Sequence, residues 1–174
     1  MMGESMTELS ENQVLKIMAG YGNDAQQLIA VLLDIQAASG RNCVEQKWAA
    51  LTAQVLNVPL SKVYDILTFY AMFSTEPRGE HVVEICQSVP CHFTQADTVV
   101  GWFEAAAGVK VGETTADGKI TLFRTSCVGA CDIGPVAKIG DDVFGSLTEE
   151  KVKTLVKSYR EGQPNLREAL ICQN

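Results

Sequence analysis

A chain of 174 residues, with 47% apolar and 20% charged side chains, has the make-up of an ordinary folded protein and not of a disordered one. Its length allows one domain, or a small domain beside another. The 21 acidic residues outnumber the 14 basic ones, for a formal net charge of −7, and nowhere do Lys and Arg cluster as a phosphate-binding surface requires; nucleic acid is not an expected partner. The longest apolar runs, such as Leu28 to Leu33, fall far short of a membrane span, and Met1 to Ser10 lacks the basic and apolar regions of a secretory signal. The expectation is a cytoplasmic protein without membrane insertion, peripheral at most to the cytoplasmic side of a larger assembly. In such a reducing compartment its six cysteines, Cys43, Cys86, Cys91, Cys127, Cys131 and Cys172, point to metal or redox chemistry rather than disulfides.

Residues 1–9 read as a flexible start. From Ser10 the periodicity is helical. Ser10 with Gln13 forms a capping-box pattern leading into Val14, Leu15, Ile17 and Met18, and Gly20 and Gly22 stop that helix. Asp24 opens a second, with Leu28, Val31, Leu32 and Ile35 on one face, ended by Gly40. A third spans about Glu45 to Leu56, its inward positions Trp48, Leu51 and Val55. Pro59 opens a fourth carrying Val63, Ile66, Leu67, Tyr70 and Phe73. Residues 10–75 are therefore a helical bundle. The turn-forming run Thr75-Glu76-Pro77-Arg78-Gly79 marks the boundary.

Residues 80–161 change period. His81 to Cys86 reads as a strand, Asp97 as the cap of a helix to Ala107, Ile120 to Thr125 as a second strand and Val136 to Ile139 as a third. Gly140-Asp141-Asp142 turns the chain into Val143 to Leu147 as a hairpin, and Thr148 starts a last helix ending near Arg160. The fold class is α/β: an amino-terminal bundle followed by a small α/β layer. Residues 162–174 read as a loosely held tail.

Four cysteines carry the chemistry. Cys86 ends a strand and precedes Cys91 by five positions; Cys127 follows another strand and precedes Cys131 by four. If those strands are parallel neighbours, both cysteine loops leave one edge of the sheet together, and four thiolates can surround one inorganic centre. Soft thiolates select zinc or iron–sulfur clusters. Zinc sites favour tighter Cys-x2-Cys knuckles, whereas a Cys-x4-Cys gap occurs among iron–sulfur patterns, so spacing favours the cluster while leaving zinc open. Gly129 and Ala130 are small enough to let backbone amides approach sulfur.

The segments Val82 to Cys91 (VVEICQSVPC) and Phe123 to Val136 (FRTSCVGACDIGPV) resemble the thioredoxin-like 2Fe–2S subunit of NADH dehydrogenases. Its relatives occur in NAD-linked and electron-bifurcating hydrogenases and in formate dehydrogenases. Leu32 to Gly40 (LLDIQAASG), Val63 to Phe73 (VYDILTFYAMF) and Pro77-Arg78-Gly79 look like further landmarks. The resemblance implies a thioredoxin-like 2Fe–2S ferredoxin domain whose cluster is held by Cys86, Cys91, Cys127 and Cys131. It also implies a bundle leaning on a flavoprotein partner, with FMN and NAD(P)H bound on that partner and not here. Gln87-Ser88-Val89-Pro90 and Phe93-Thr94-Gln95 depart from the family's usual residues without touching a ligand.

An electron-transfer subunit of an NAD(P)H-linked oxidoreductase complex is the leading reading, with no catalytic residues or substrate site of its own. The alternatives are a free-standing thioredoxin-like ferredoxin and a zinc-stabilised interaction module. No Gly-rich dinucleotide loop follows a strand, and no Ser/His/Asp or Cys/His set stands out. Cys43 and Cys172 read as free thiols. His92 reads as a surface or supporting group beside Cys91, with coupling of proton uptake to reduction as its sharper role. Trp48, Tyr64, Phe69, Tyr70 and Phe73 read mostly as core.

Overall fold

In a computed structural model, residues 9–162 are described, and the chain divides into two units between Arg78 and Gly79. The expectations for residues 1–8, for the tail beyond Gly162 and for Cys172 lie outside the described residues.

In the first unit the helix signals act as read. Ser10 precedes α1 (Glu11–Gly20), and its amide and hydroxyl both bond the Gln13 side chain, at 2.9 and 2.7 Å, closing the capping box. The Asp24 carboxylate accepts from the Gln26 amide at 2.8 Å, capping a 3-10 turn (Ala25–Gln27) that continues into α2 (Leu28–Ala38). Leu28, Val31, Leu32 and Ile35 of α2 are buried at helical spacing. In α3 (Gln46–Val55) the buried stripe is Trp48, Ala49, Thr52 and Ala53; the expected inward positions Leu51 and Val55 are only half-buried. The small Ala49 and Ala53 give the closer face, and the Thr52 hydroxyl spends itself on the Trp48 carbonyl at 2.8 Å. Pro59 precedes α4 (Leu60–Phe69), which buries Val63 and Leu67.

The aromatic run divides, and the core reading of it is corrected in part. Trp48 and Phe73 are buried, but Phe69 is 80% exposed and Tyr70 is 38% exposed. The helix is over at Phe69, which stands two positions past Leu67 and so on the far side of the cylinder. Gln36 then fixes the path of the chain beyond α4: its amide donates to the Met72 carbonyl and accepts from the Ser74 amide, both at 2.9 Å, turning Phe73 inward.

The second unit is a four-stranded sheet in the order β2-β1-β3-β4, made of β1 (His81–Cys86), β2 (Ile120–Thr125), β3 (Ala137–Ile139) and β4 (Asp142–Phe144). β1 and β2 are parallel, with Cys86 opposite Thr125; β3 pairs antiparallel with β1, and β4 with β3. A parallel pair needs a crossover. Here it runs through a short α5 (Val89–Phe93) and the longer α6 (Ala96–Ala107). With α7 (Glu149–Arg160), α6 covers one face of the sheet. Val83, Ile85, Ile120 and Leu122, at alternate strand positions, meet Phe103, Val152 and Leu155 there in a single apolar cluster. On the other face Glu84 pairs with Lys138 at 3.7 Å across the β1–β3 register.

Three local readings change. α5 is an additional helix. Asp97 is not a cap: Gln95, at φ 71°, precedes α6, while the Asp97 carboxylate bonds Arg124 at 3.0 Å. The strands expected over Val136–Ile139 and Val143–Leu147 are three residues each, shorter and shifted slightly. Thr148 does cap α7, accepting from the Lys151 amide at 3.3 Å. Gly79 enters the sheet beside Ile120 so closely that a Cβ would sit 2.9 Å from its backbone.

Candidate metal centre

The parallel register brings the two cysteine loops to one edge of the sheet. Cys86 is the last residue of β1; its partner Thr125 ends β2, and Cys127 follows two residues later. The Gln87 amide still bonds the Thr125 carbonyl at 3.0 Å, so the two chains leave the sheet side by side. Cys91 sits in the middle of α5, and Cys131 opens a 3-10 turn (Cys131–Ile133).

The thiols meet as two pairs of unlike exposure. Cys86 and Cys91 are buried, at 1% and 0%, in an apolar pocket with Ala96 and Val136, flanked by Val128, Ala130, Ile133 and Val143. Burial pushes the Cys91 thiol up, with the Cys86 thiol as a hydrogen-bonding neighbour raising it further, while the Val136 amide donates to its sulfur and works the other way. Cys127 and Cys131 are exposed, their sulfurs 3.4 Å apart. The Gly129 amide donates to the Cys127 sulfur at 3.4 Å and is the leading reason this thiol lies below its ordinary value. Gly129 has φ +88°, a conformation that glycine adopts without strain, and it aims that amide. Cys131 is raised, first by its hydrogen bond with Cys127 and then by burial.

This donor set fits a binuclear cluster. Metal–sulfur bonds of ~2.3 Å in a tetrahedral site put two sulfurs on one ion ~3.8 Å apart, close to the Cys127–Cys131 spacing. Among the described residues no three His, Cys, Asp or Glu side chains are grouped as around a single ion. Two thiol pairs, one per iron, are what an all-cysteine 2Fe–2S rhomb requires. The backbone amides of Val136 and Gly129 are donors to the Cys91 and Cys127 sulfurs, and the apolar pocket limits water on the buried side.

The remaining candidates take other places. His92 faces solvent, and its Nδ1 lies 3.3 Å from Asp97, which in turn bonds Arg124 at the end of β2. Cys43 belongs to the first unit, buried, in no disulfide, its amide bonding the Ser39 hydroxyl at 3.3 Å; burial raises its thiol. The sequence reading passed over Val136 as a neighbour of the thiols. Val136 acts through its main chain, which only the strand register reveals.

A four-stranded mixed sheet, with a helical layer on one face and a paired-thiol centre at the end of its parallel strands, defines a thioredoxin-like iron–sulfur protein. Comparison with known proteins agrees: the thioredoxin-like 2Fe–2S ferredoxin family matches residues 14–160, and the chain belongs to that family, whose cofactor is the 2Fe–2S cluster. Similar curated proteins include the second E-type subunit of the NADH-quinone oxidoreductase of Rhizobium meliloti, 37% identical over 64% of this chain and 66% of that one. The corresponding NADH-quinone oxidoreductase subunit of Rickettsia felis is 34% identical over 75% and 78%. The NADP-reducing hydrogenase subunit HndA of Solidesulfovibrio fructosivorans is 28% identical over 84% and 85%. Among solved structures, the air-oxidized NAD+-reducing NiFe-hydrogenase superposes with a TM-score of 0.70 at 19% identity, over 90% of this chain and 25% of the hydrogenase chain, a likeness of fold. No helix among the described residues is long and apolar enough to cross a membrane.

Proposed function

We propose that this chain is the electron-transfer subunit of an NAD(P)H-linked flavin and iron–sulfur oxidoreductase complex, holding one 2Fe–2S cluster on Cys86, Cys91, Cys127 and Cys131. The observation that carries the reading is the parallel register of β1 and β2, which delivers both cysteine loops to one sheet edge. The names of its relatives, subunits of NADH-quinone oxidoreductases and of an NADP-reducing hydrogenase, support the assembly.

When bound, the cluster supplies one-electron transfer, at a potential on the order of −400 mV for all-thiolate ligation of the plant-ferredoxin kind. The chain's own residues do the rest. Cys86 and Cys91 anchor the buried side, and Val136 and Gly129 donate amides to sulfur. The exposed pair Cys127 and Cys131 forms the face through which electrons pass to a partner. Val89 and Phe93 stand 67% and 82% exposed one helical turn apart on α5, an apolar rim suited to close approach by that partner. Hydride chemistry, with its FMN and NAD(P)H, belongs to a flavoprotein subunit that also carries iron–sulfur clusters. This chain has no substrate site, and its place is cytoplasmic.

Serine replacement tests the ligand set. Cys86→Ser, Cys91→Ser, Cys127→Ser and Cys131→Ser each lower bound iron or alter the reduced-state EPR signal, while Cys43→Ser leaves both as in the wild type. A variant of one of the four with unaltered iron and signal would remove that residue from the set. Copurification of a large flavoprotein with the tagged native chain tests the assembly; a chain that purifies alone, with its cluster intact, would favour a free-standing ferredoxin.

A further inference from the structure

Asp97 stands in the first turn of α6, and its carboxylate reaches both segments that carry the cysteines. One oxygen accepts from Arg124 Nη2 at 3.0 Å, and the other lies 3.3 Å from Nδ1 of His92. His92 directly follows Cys91 on α5, and Arg124 lies on β2, three residues before Cys127. Alternate positions of β2 face the helical layer: Ile120 and Leu122 are buried with Phe103 of α6, and Arg124 is next in that series, at the strand's end. His92 comes back beside Asp97 because only Thr94 and Gln95 separate α5 from α6. Gln95 makes the reversal at φ 71°, a left-handed conformation that a residue with a Cβ seldom adopts. Such a conformation persists where the surroundings hold it, and the Asp97 carboxylate closes over this one from the α6 side.

We propose that Asp97 is a positioning residue of the centre: its carboxylate clamps the α5 segment bearing Cys91 to the end of β2 that leads into Cys127, and so keeps the two cysteine loops at cluster spacing. This rests on the assignment of Cys91 and Cys127 as ligands. Each arm alone is a solvent-exposed contact and holds weakly. Both arms meet on one carboxylate, so neither tie survives its removal. An acid in the first turn of α6 also favours that helix through its dipole. That plainer role involves neither His92 nor Arg124, and the two roles differ in how substitutions combine.

The test follows bleaching of the visible spectrum of the full, cluster-loaded chain under an iron chelator, with the reduced-state EPR spectrum recorded alongside. Asp97→Ala, and Asp97→Asn as the variant that keeps the shape and loses the charge, are expected to bleach about 2- to 5-fold faster than the wild type. Both are expected to shift or broaden the EPR signal, because the groups that orient metal ligands also tune the metal. His92→Ala and Arg124→Ala are each expected to speed bleaching in the wild-type background and to add nothing in the Asp97→Ala background. Accelerations that are the same in both backgrounds would overturn the proposal and leave Asp97 its helix role alone. An EPR signal unaltered in both Asp97 variants would overturn it as well. Failure of the ligand assignment looks different: the wild-type chain itself would then lack the two-iron signal.

Discussion

At the scale of single residues, the centre is built from side chains of one kind in two environments. Cys86 and Cys91 are fixed by packing, whereas Cys127 and Cys131 depend on loop geometry. Gly129 makes that geometry possible, because φ +88° costs an L-residue roughly 1–2 kcal/mol. Gly129→Ala is therefore expected to move the amide off the Cys127 sulfur and speed bleaching of the visible spectrum under an iron chelator; an unchanged bleaching rate would contradict the role given to that amide. The four cysteines proposed as ligands, and Gly129, stand out in the sequence because thiolates at these spacings have few other uses in a reducing compartment. Val136 does not stand out, since it acts on Cys91, far along the chain, and only the fold brings them together.

At the scale of elements, helices with local stop and start signals could be read directly. Ser10 with Gln13, Asp24 and Thr148 each cap where expected, because a cap is satisfied within three residues of itself. Asp97 misled for a physical reason: it looks like a cap, but Arg124 and His92 engage its carboxylate. α5 is too short to show periodicity, and Ser88 followed by Pro90 at its start was its only local mark. Phe69 is exposed because it stands two positions past Leu67, on the far side of α4, and Tyr70 lies past the helix end, in a stretch whose onward path Gln36 fixes from far along the chain. The entry of the chain into the sheet is just as unforgiving. A Cβ at Gly79 would stand 2.9 Å from the Ile120 backbone, which cannot move without disturbing β2. Gly79→Ala is expected to cost about 1–3 kcal/mol, read as a lower urea midpoint. A midpoint equal to the wild type would show that the strand gives way freely.

At the scale of the whole molecule, 21 acidic residues make acid stability the natural probe of its electrostatics. Glu104 at the end of α6 accepts from the Lys110 ammonium at 2.8 Å and the Val111 amide at 3.2 Å, and the Lys110 bond foremost holds its carboxyl below the ordinary range. A carboxylate depressed in the folded state stabilises fully above its unfolded value, near ~4.3, and loses that contribution as pH falls through the folded value. Glu104→Gln is thus expected to lower the unfolding midpoint at neutral pH, with the gap to the wild type closing below about pH 4; a gap independent of pH would place the effect in packing instead. The division between Arg78 and Gly79 sets a bundle apart from the unit that holds the thiols, and the cysteine pairs all lie in the second. One measurement bears on the whole account. Anaerobically purified, cluster-loaded chain should contain two irons and take up one electron in a potentiometric titration, giving a single EPR signal from a spin-½ centre. A colourless protein binding one zinc, with no reducible signal, would contradict it.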